Sequence, residues 1–160
     1  MPLFGRKQEP AKPVLEDEAL LDLSQMFTDC PDRPTPGVEL LDPAKMDFSV
    51  PSLALVDDFL DKVRSRQLND KDMTILVLRC GAYVGEVLRR NSGLTWHWLD
   101  YDEARRVDPK FAAIGEKSLG VAAVLWSGTQ YCFPLNKVGK FLTNGREDST
   151  RYFVHVMLAK

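Results

Sequence analysis

The stretch from Asn69 to Arg90 constrains the fold more than any other part of the chain. At 100° per residue, Met73, Leu76, Val77, Cys80, Tyr83, Val84, Val87 and Leu88 share one broad apolar face. Ile75, Leu78 and Ala82 form a second, thinner stripe. Only Arg79, Glu86, Arg89 and Arg90 ask for water or a polar partner. A helix apolar on nearly every side belongs at the centre of a domain. Asn69 or Asp70 supplies its N-cap, and Asn91-Ser92-Gly93 its stop. Gly81 and Gly85 sit four apart inside it, each costing about 1 kcal/mol against alanine. The compensation to expect is close approach by another element.

Around this spine the pattern alternates between helix and strand signals. Leu53, Val56, Phe59, Leu60 and Val63 recur at helical spacing over Ser52 to Arg66, with Ser52 as N-cap and Asp57 and Asp58 early in the helix. After the spine the period becomes two: Leu94, Trp96 and Trp98 alternate with Thr95, His97 and Leu99, which predicts a strand with its tryptophans on one face. Glu103 to Val107 suits a helical turn. Gly120 to Trp126 and Thr129 to Phe133, joined by Ser127-Gly128, predict a β-hairpin. Pro134 suits the start of a helix carrying Leu135, Val138, Phe141 and Leu142, ended by Asn144-Gly145. Asp148 or Ser149 caps a last helix, with Tyr152, Phe153, Val156 and Met157 expected inward. The expected fold class is therefore α+β: a small antiparallel sheet of about three strands packed on one face against helices, with a central glycine-containing helix. Trp96, Trp98 and Trp126 are expected as core anchors.

Eight of the ten prolines lie in the first 51 residues, and proline disfavours helix before it. Residues 1–13 read as a disordered leader and residues 14–160 as one domain, in which 14–50 wrap and 51–160 form the main core. Within the wrapping segment Glu16 to Phe27 suits a short helix and Asp29 to Gly37 a loop. A length of 160 residues fits that organisation.

The formal net charge of -2 argues against broad attraction to nucleic acid, so no nucleic-acid partner is expected. Cys30, Cys80 and Cys132 are widely spaced, with no Cys-x-x-Cys pair, which fits free thiols in a reducing cytoplasm. No run approaches the ~18 apolar residues of a transmembrane helix. With two histidines and no phosphate-binding glycine loop, dinucleotide fingerprint or serine-nucleophile motif, the sequence predicts no metal, no cofactor and no catalytic constellation.

The densest local pattern is Gly81-Ala82-Tyr83-Val84-Gly85-Glu86-Val87-Leu88-Arg89-Arg90, followed by Gly93 and Trp96. It resembles the helix motif Gly-x-Tyr-x-Gly-Glu-Val-x-x-Arg, with a glycine and a tryptophan following, of uncharacterised bacterial α+β domains. The resemblance spans Leu76 to Trp98, with a looser echo in Phe133-Pro134 and Lys137. It implies an α+β domain of bacterial origin, and some such domains look like accessory or immunity-type proteins. The candidate partner- or ligand-binding residues are Tyr83, Glu86, Arg89, Arg90 and His97. Glu86 has a structural reading, pairing with Arg90 or Arg89 or bonding the following strand, and a functional one as a base or ligand carboxylate. His97 should point away from the tryptophan face, where Cys132 on a neighbouring strand would offer a Cys-His dyad. The leading expectation is a non-catalytic domain that binds another macromolecule, with a protein partner. The alternative is a small-molecule binder or hydrolase whose pocket, between the central helix and the sheet, is lined by Tyr83, Glu86, His97 and Cys132. A third reading places Leu3, Phe4, Arg6 and Lys7 at a membrane surface.

Overall fold

The computed structural model describes residues 12–114 and 117–160. The expected leader lies outside the described residues except for Lys12 and Pro13, which open helix α1 (Lys12–Met26), so that helix begins before the expected Glu16. Two short 3-10 turns, Val38–Leu40 and Pro43–Lys45, lead to α2 (Ser52–Val63). The central helix α3 follows as Asp70–Asn91, with the Asn69 side chain accepting from the Asp72 amide as an N-cap should. Strand β1 (His97–Asp100) runs into α4 (Tyr101–Val107), where Asp100 caps by accepting from the Glu103 amide. Strands β2 (Ala123–Trp126) and β3 (Tyr131–Cys132) form the expected hairpin, then come α5 (Pro134–Asn144) and α6 (Thr150–Leu158). The hairpin is shorter than its apolar run because Leu119–Val121 turns into a 3-10 helix.

The sheet is antiparallel in the order β1-β2-β3. Trp98 pairs with Leu125, and Leu125 with Cys132, so these three share one face. His97 pairs with Trp126, and Trp126 with Tyr131, on the other. The first face meets α3 across the main core. The second carries a smaller cluster of Leu99, Ala104, Phe111 and Val124 beneath α4 and the 3-10 turns of Pro109–Ile114. Helices therefore cover both faces, not one. An apolar residue at position 99, out of phase with the tryptophans, requires that second cover.

From Leu76 to Leu88 every residue of α3 is buried except the half-buried Leu78. The two glycines explain how neighbours reach it. A Cβ at Gly81 would stand 2.7 Å from the Leu135 Cα at the start of α5, and one at Gly85 would overlap the Trp98 ring. Close approach is what the missing methyl groups allow. The segment before α2 places Phe27 in the core, edge-on to Phe59 at 5.4 Å.

Three inward assignments change. Tyr152 is 66% exposed, since Val154 and Met157 take the inner face of α6. Leu94 is exposed and precedes the strand. Trp126 is half-buried and belongs to the smaller cluster, while Trp96 and Trp98 anchor the main one. Ser52 is the first residue of α2, not its cap, and its hydroxyl bonds the Ser49 carbonyl at 2.6 Å.

Candidate functional site

The site begins at consecutive residues of α3. Gly85 leaves a notch that the Trp98 indole fills. Glu86, next in sequence, accepts the indole Nε1–H at 3.0 Å. Glycine makes room for the ring and glutamate satisfies its one polar atom, which locks α3 to β1. Glu86 is 2% exposed, and a carboxylate that deep needs compensating charge. Arg89 Nη1 lies 3.6 Å from its Oε1, and Arg90 Nε 3.7 Å from its Oε2.

A second carboxylate closes the cluster from α1. Asp17 Oδ1 accepts the backbone N–H of Trp98 at 2.6 Å and lies 3.6 Å from the same Arg89 nitrogen. Its Oδ2 is 3.3 Å from His97 Nδ1. Asp17 thus seals the outer edge of β1 with a side chain where a further strand would otherwise pair. Arg89 is held between two carboxylates, its Nη1 buried and just beyond hydrogen-bond distance of both.

Tyr83, three residues earlier on α3, ties the helix to Phe48 and to the start of α2. Its hydroxyl accepts the Phe48 N–H at 3.0 Å and lies 2.8 Å from Ser52 Oγ. Burial pushes its pKa up. Phe48 has φ +60°, the left-handed region that phenylalanine rarely enters. Three contacts hold it there: its ring stacks on Tyr83 at 4.7 Å, Asn91 Nδ2 donates to its carbonyl at 2.9 Å, and the Arg90 guanidinium lies 3.8 Å above the ring centre.

The five sequence candidates therefore join one network at the C-terminal end of α3. Glu86, Arg89 and His97 meet around Asp17, and Arg90 links Glu86 to the Phe48–Tyr83 stack. Tyr83 and Glu86 are buried, whereas Arg90 and His97 keep 44% and 50% of their side chains exposed, with exposed Leu94 before β1. Sequence reasoning missed Asp17 and Phe48. Asp17 is one acid in the run Glu16-Asp17-Glu18, and nothing local marks Phe48 as a left-handed residue.

The Cys-His dyad does not form. Cys132 lies on the core face of β3 and His97 on the opposite face of β1, two strand spacings or about 10 Å away. Burial raises the pKa of the Cys132 thiol well above the ordinary value, and that of Cys80 likewise, so both are protonated. Leu135, Pro134 and the Trp98 ring fill the space between α3 and the sheet at the two glycines, so Tyr83, Glu86, His97 and Cys132 do not surround a common cavity there. Hollows among the described residues lie elsewhere, among them one of about 390 Å³ beside Val50, Tyr152 and His155 and one of about 290 Å³ beside Tyr131, Phe133 and Met157. Among the described residues no group of three His, Cys, Asp or Glu side chains is placed to hold a metal ion, and no helix is long and apolar enough to cross a membrane. No family model, curated protein or solved structure matches the chain.

Proposed function

We propose that the protein is a non-catalytic binding domain, an accessory protein of the bacterial cytoplasm, that engages a protein partner through the surface at the C-terminal end of α3. The observation that carries the reading is how the charged groups of that surface are spent. Glu86, the best-placed candidate base, gives both oxygens to the Trp98 indole and to two arginines. Asp17 does the same for the Trp98 amide, Arg89 and His97. Carboxylates whose oxygens all face partners within the protein stiffen the surface that carries them. What they stiffen is a patch of Arg90, His97 and Leu94, rigidly presented and half open to solvent. Arginine and flanking apolar groups on a preorganised scaffold favour protein recognition, because little side-chain freedom remains to be lost on binding. Free, buried thiols at Cys80 and Cys132 support a reducing compartment.

The test is site-specific photo-crosslinking in the native cell, with the crosslinker in place of Leu94 or His97 and, as control, of exposed Lys71 at the far end of α3. The expected outcome is an adduct of discrete mass at positions 94 and 97 and none at 71. No adduct at 94 and 97, or one pattern at all three positions, rejects this surface as the binding face.

A further inference from the structure

The two edges of the sheet are not alike. At β1 the Asp17 carboxylate occupies the outward Trp98 amide. At β3 no such cover exists among the described residues. The Ser127 N–H bonds the Gln130 carbonyl at 2.9 Å, so the hairpin ladder puts Trp126 and Tyr131 at a non-hydrogen-bonded pair. The Tyr131 N–H and C=O therefore point off the sheet, and the Phe133 N–H, two residues on, has the same direction. Beside this edge runs the hollow of about 290 Å³, walled by Tyr131 and Phe133 on one side and by Phe153 and Met157 of α6 on the other. Lys140 lines its rim, where its charge also acts on Asp148, and the charge of Lys160 is felt at Cys132 in its floor. Lys137, also lining it, is already paired with Asp148 at 2.9 Å. No acidic side chain lines the hollow.

We infer that this groove takes an extended, acidic segment of a protein partner, which adds to β3 as a fourth strand. Backbone bonds to Tyr131 and Phe133 set its direction. Alternate apolar side chains fill the space against Phe153 and Met157, and carboxylates between them meet Lys140 and Lys160. An open strand edge alone selects nothing; the apolar wall and the exposed lysines supply preference for alternating apolar and acidic residues. This site goes beyond the surface at Arg90 and His97 and stands whether or not that surface binds.

The experiment pans a displayed library of random dodecapeptides on the full chain, then measures the selected peptides in solution. Expected are peptides rich in alternating acidic and apolar residues. Their affinity should fall at least tenfold on the Lys140→Glu/Lys160→Glu variant, and tenfold when a pairing backbone nitrogen of the peptide is methylated. It should stay unchanged in His97→Ala. The Tyr131 and Phe133 amide resonances should shift on binding. Selection of basic peptides, of none, or of peptides indifferent to the lysine reversals or to methylation overturns the inference. So does peptide-competed self-association of the chain, which would make a second copy the occupant. Lys140 and Lys160 are exposed, so the variant tests the groove without disturbing the core.

Discussion

At the scale of single residues, the Gly85-Glu86 pair shows how a sequence encodes a contact. One residue supplies space and the next supplies an acceptor, and Trp98 fits both. Gly85→Ala forces a methyl group into the indole ring, and overpacking of this kind costs about 1–3 kcal/mol. A lowered urea midpoint, with a shift in tryptophan fluorescence, is the expected result. Glu86→Ala should cost more, about 3–5 kcal/mol, because it strands a buried indole N–H and leaves Arg89 facing Asp17 alone. Glu86→Gln keeps an acceptor for the indole and should lose clearly less in the same urea titration. If Ala and Gln prove equally damaging, the bond to Trp98 is not what Glu86 contributes. The cysteines offer a second check. Cys80 and Cys132 are buried with raised pKa values, while Cys30 is half-buried and receives a bond from Arg79 Nη2 at 3.4 Å. At pH 8 an aromatic disulfide reagent should therefore titrate one thiol in the native protein and three in denaturant. Glu86 was legible in sequence as a residue needing a partner. Asp17 was not, since its role depends on where α1 lands against β1, a relation between residues about eighty apart.

At the scale of elements, helix ends are tied down by side chains from elsewhere. Asp57, expected only as an early acid of α2, is buried and caps α6. Its Oδ1 accepts from the Thr150 amide at 2.8 Å and hydroxyl at 2.6 Å, and its Oδ2 accepts from Ser149 Oγ at 2.5 Å. Asp57→Ala removes three bonds at once and leaves a buried amide unpaired, so the loss should be about 2–4 kcal/mol, with faster hydrogen exchange concentrated in α6. A loss of exchange protection spread evenly over the molecule would argue against a capping role. The α5–α6 connection carries an acid-sensitive tie. The Lys137 ammonium, with the Asn144 amide, holds the Asp148 carboxyl below its usual range. In the native state Asp148 stays ionised to lower pH than in the unfolded chain. Its contribution is thus complete above the unfolded value near 4 and is lost as pH falls through the native one. Below about pH 4 the stability of wild type should drop with acid more steeply than that of Asp148→Asn, as thermal melts across pH 2.5–5 would show. The spine, the hairpin and α5 were legible because period, caps and turn residues agree there. The length of β1 was not. The Leu94–Leu99 alternation looks like strand throughout, but pairing starts only at His97, where β2 provides partners. For Tyr152 the apolar spacing along a nine-residue helix admits two faces, and only the position of α2 and α3 decides between them.

At the scale of the whole molecule, the sheet divides the protein into two cores of unequal size. The main cluster gathers residues from α1, α2, α3, α5, α6 and one sheet face around the central helix. The second rests on Leu99, Ala104, Phe111 and Val124, with Ile114, Trp126 and Phe133 half-buried beside them. A local region opens at the free energy its own burial supplies, so the two should not open together. Phe111 is the largest fully buried side chain of the smaller cluster, its ring 4.5 Å from Tyr131, and its carbonyl accepts the Tyr101 hydroxyl at 3.1 Å. It fastens the layer over the sheet. Native-state hydrogen exchange should find the amides of α4 and of Phe111 to Ile114 opening at markedly lower denaturant than those of Leu76 to Leu88, which should exchange only on global unfolding. Phe111→Ala should remove protection from the first group while leaving the second near its wild-type value, although a buried phenylalanine truncation costs about 3–5 kcal/mol when the loss is felt globally. If Phe111→Ala instead lowers protection equally in both groups, the two clusters form one cooperative unit and the sheet transmits the loss. The division matters for binding because Tyr131 packs on Phe111 while its backbone borders the lysine-rimmed groove. A layer that loosens independently would free the outer face of β3 without softening the helix that carries Arg90.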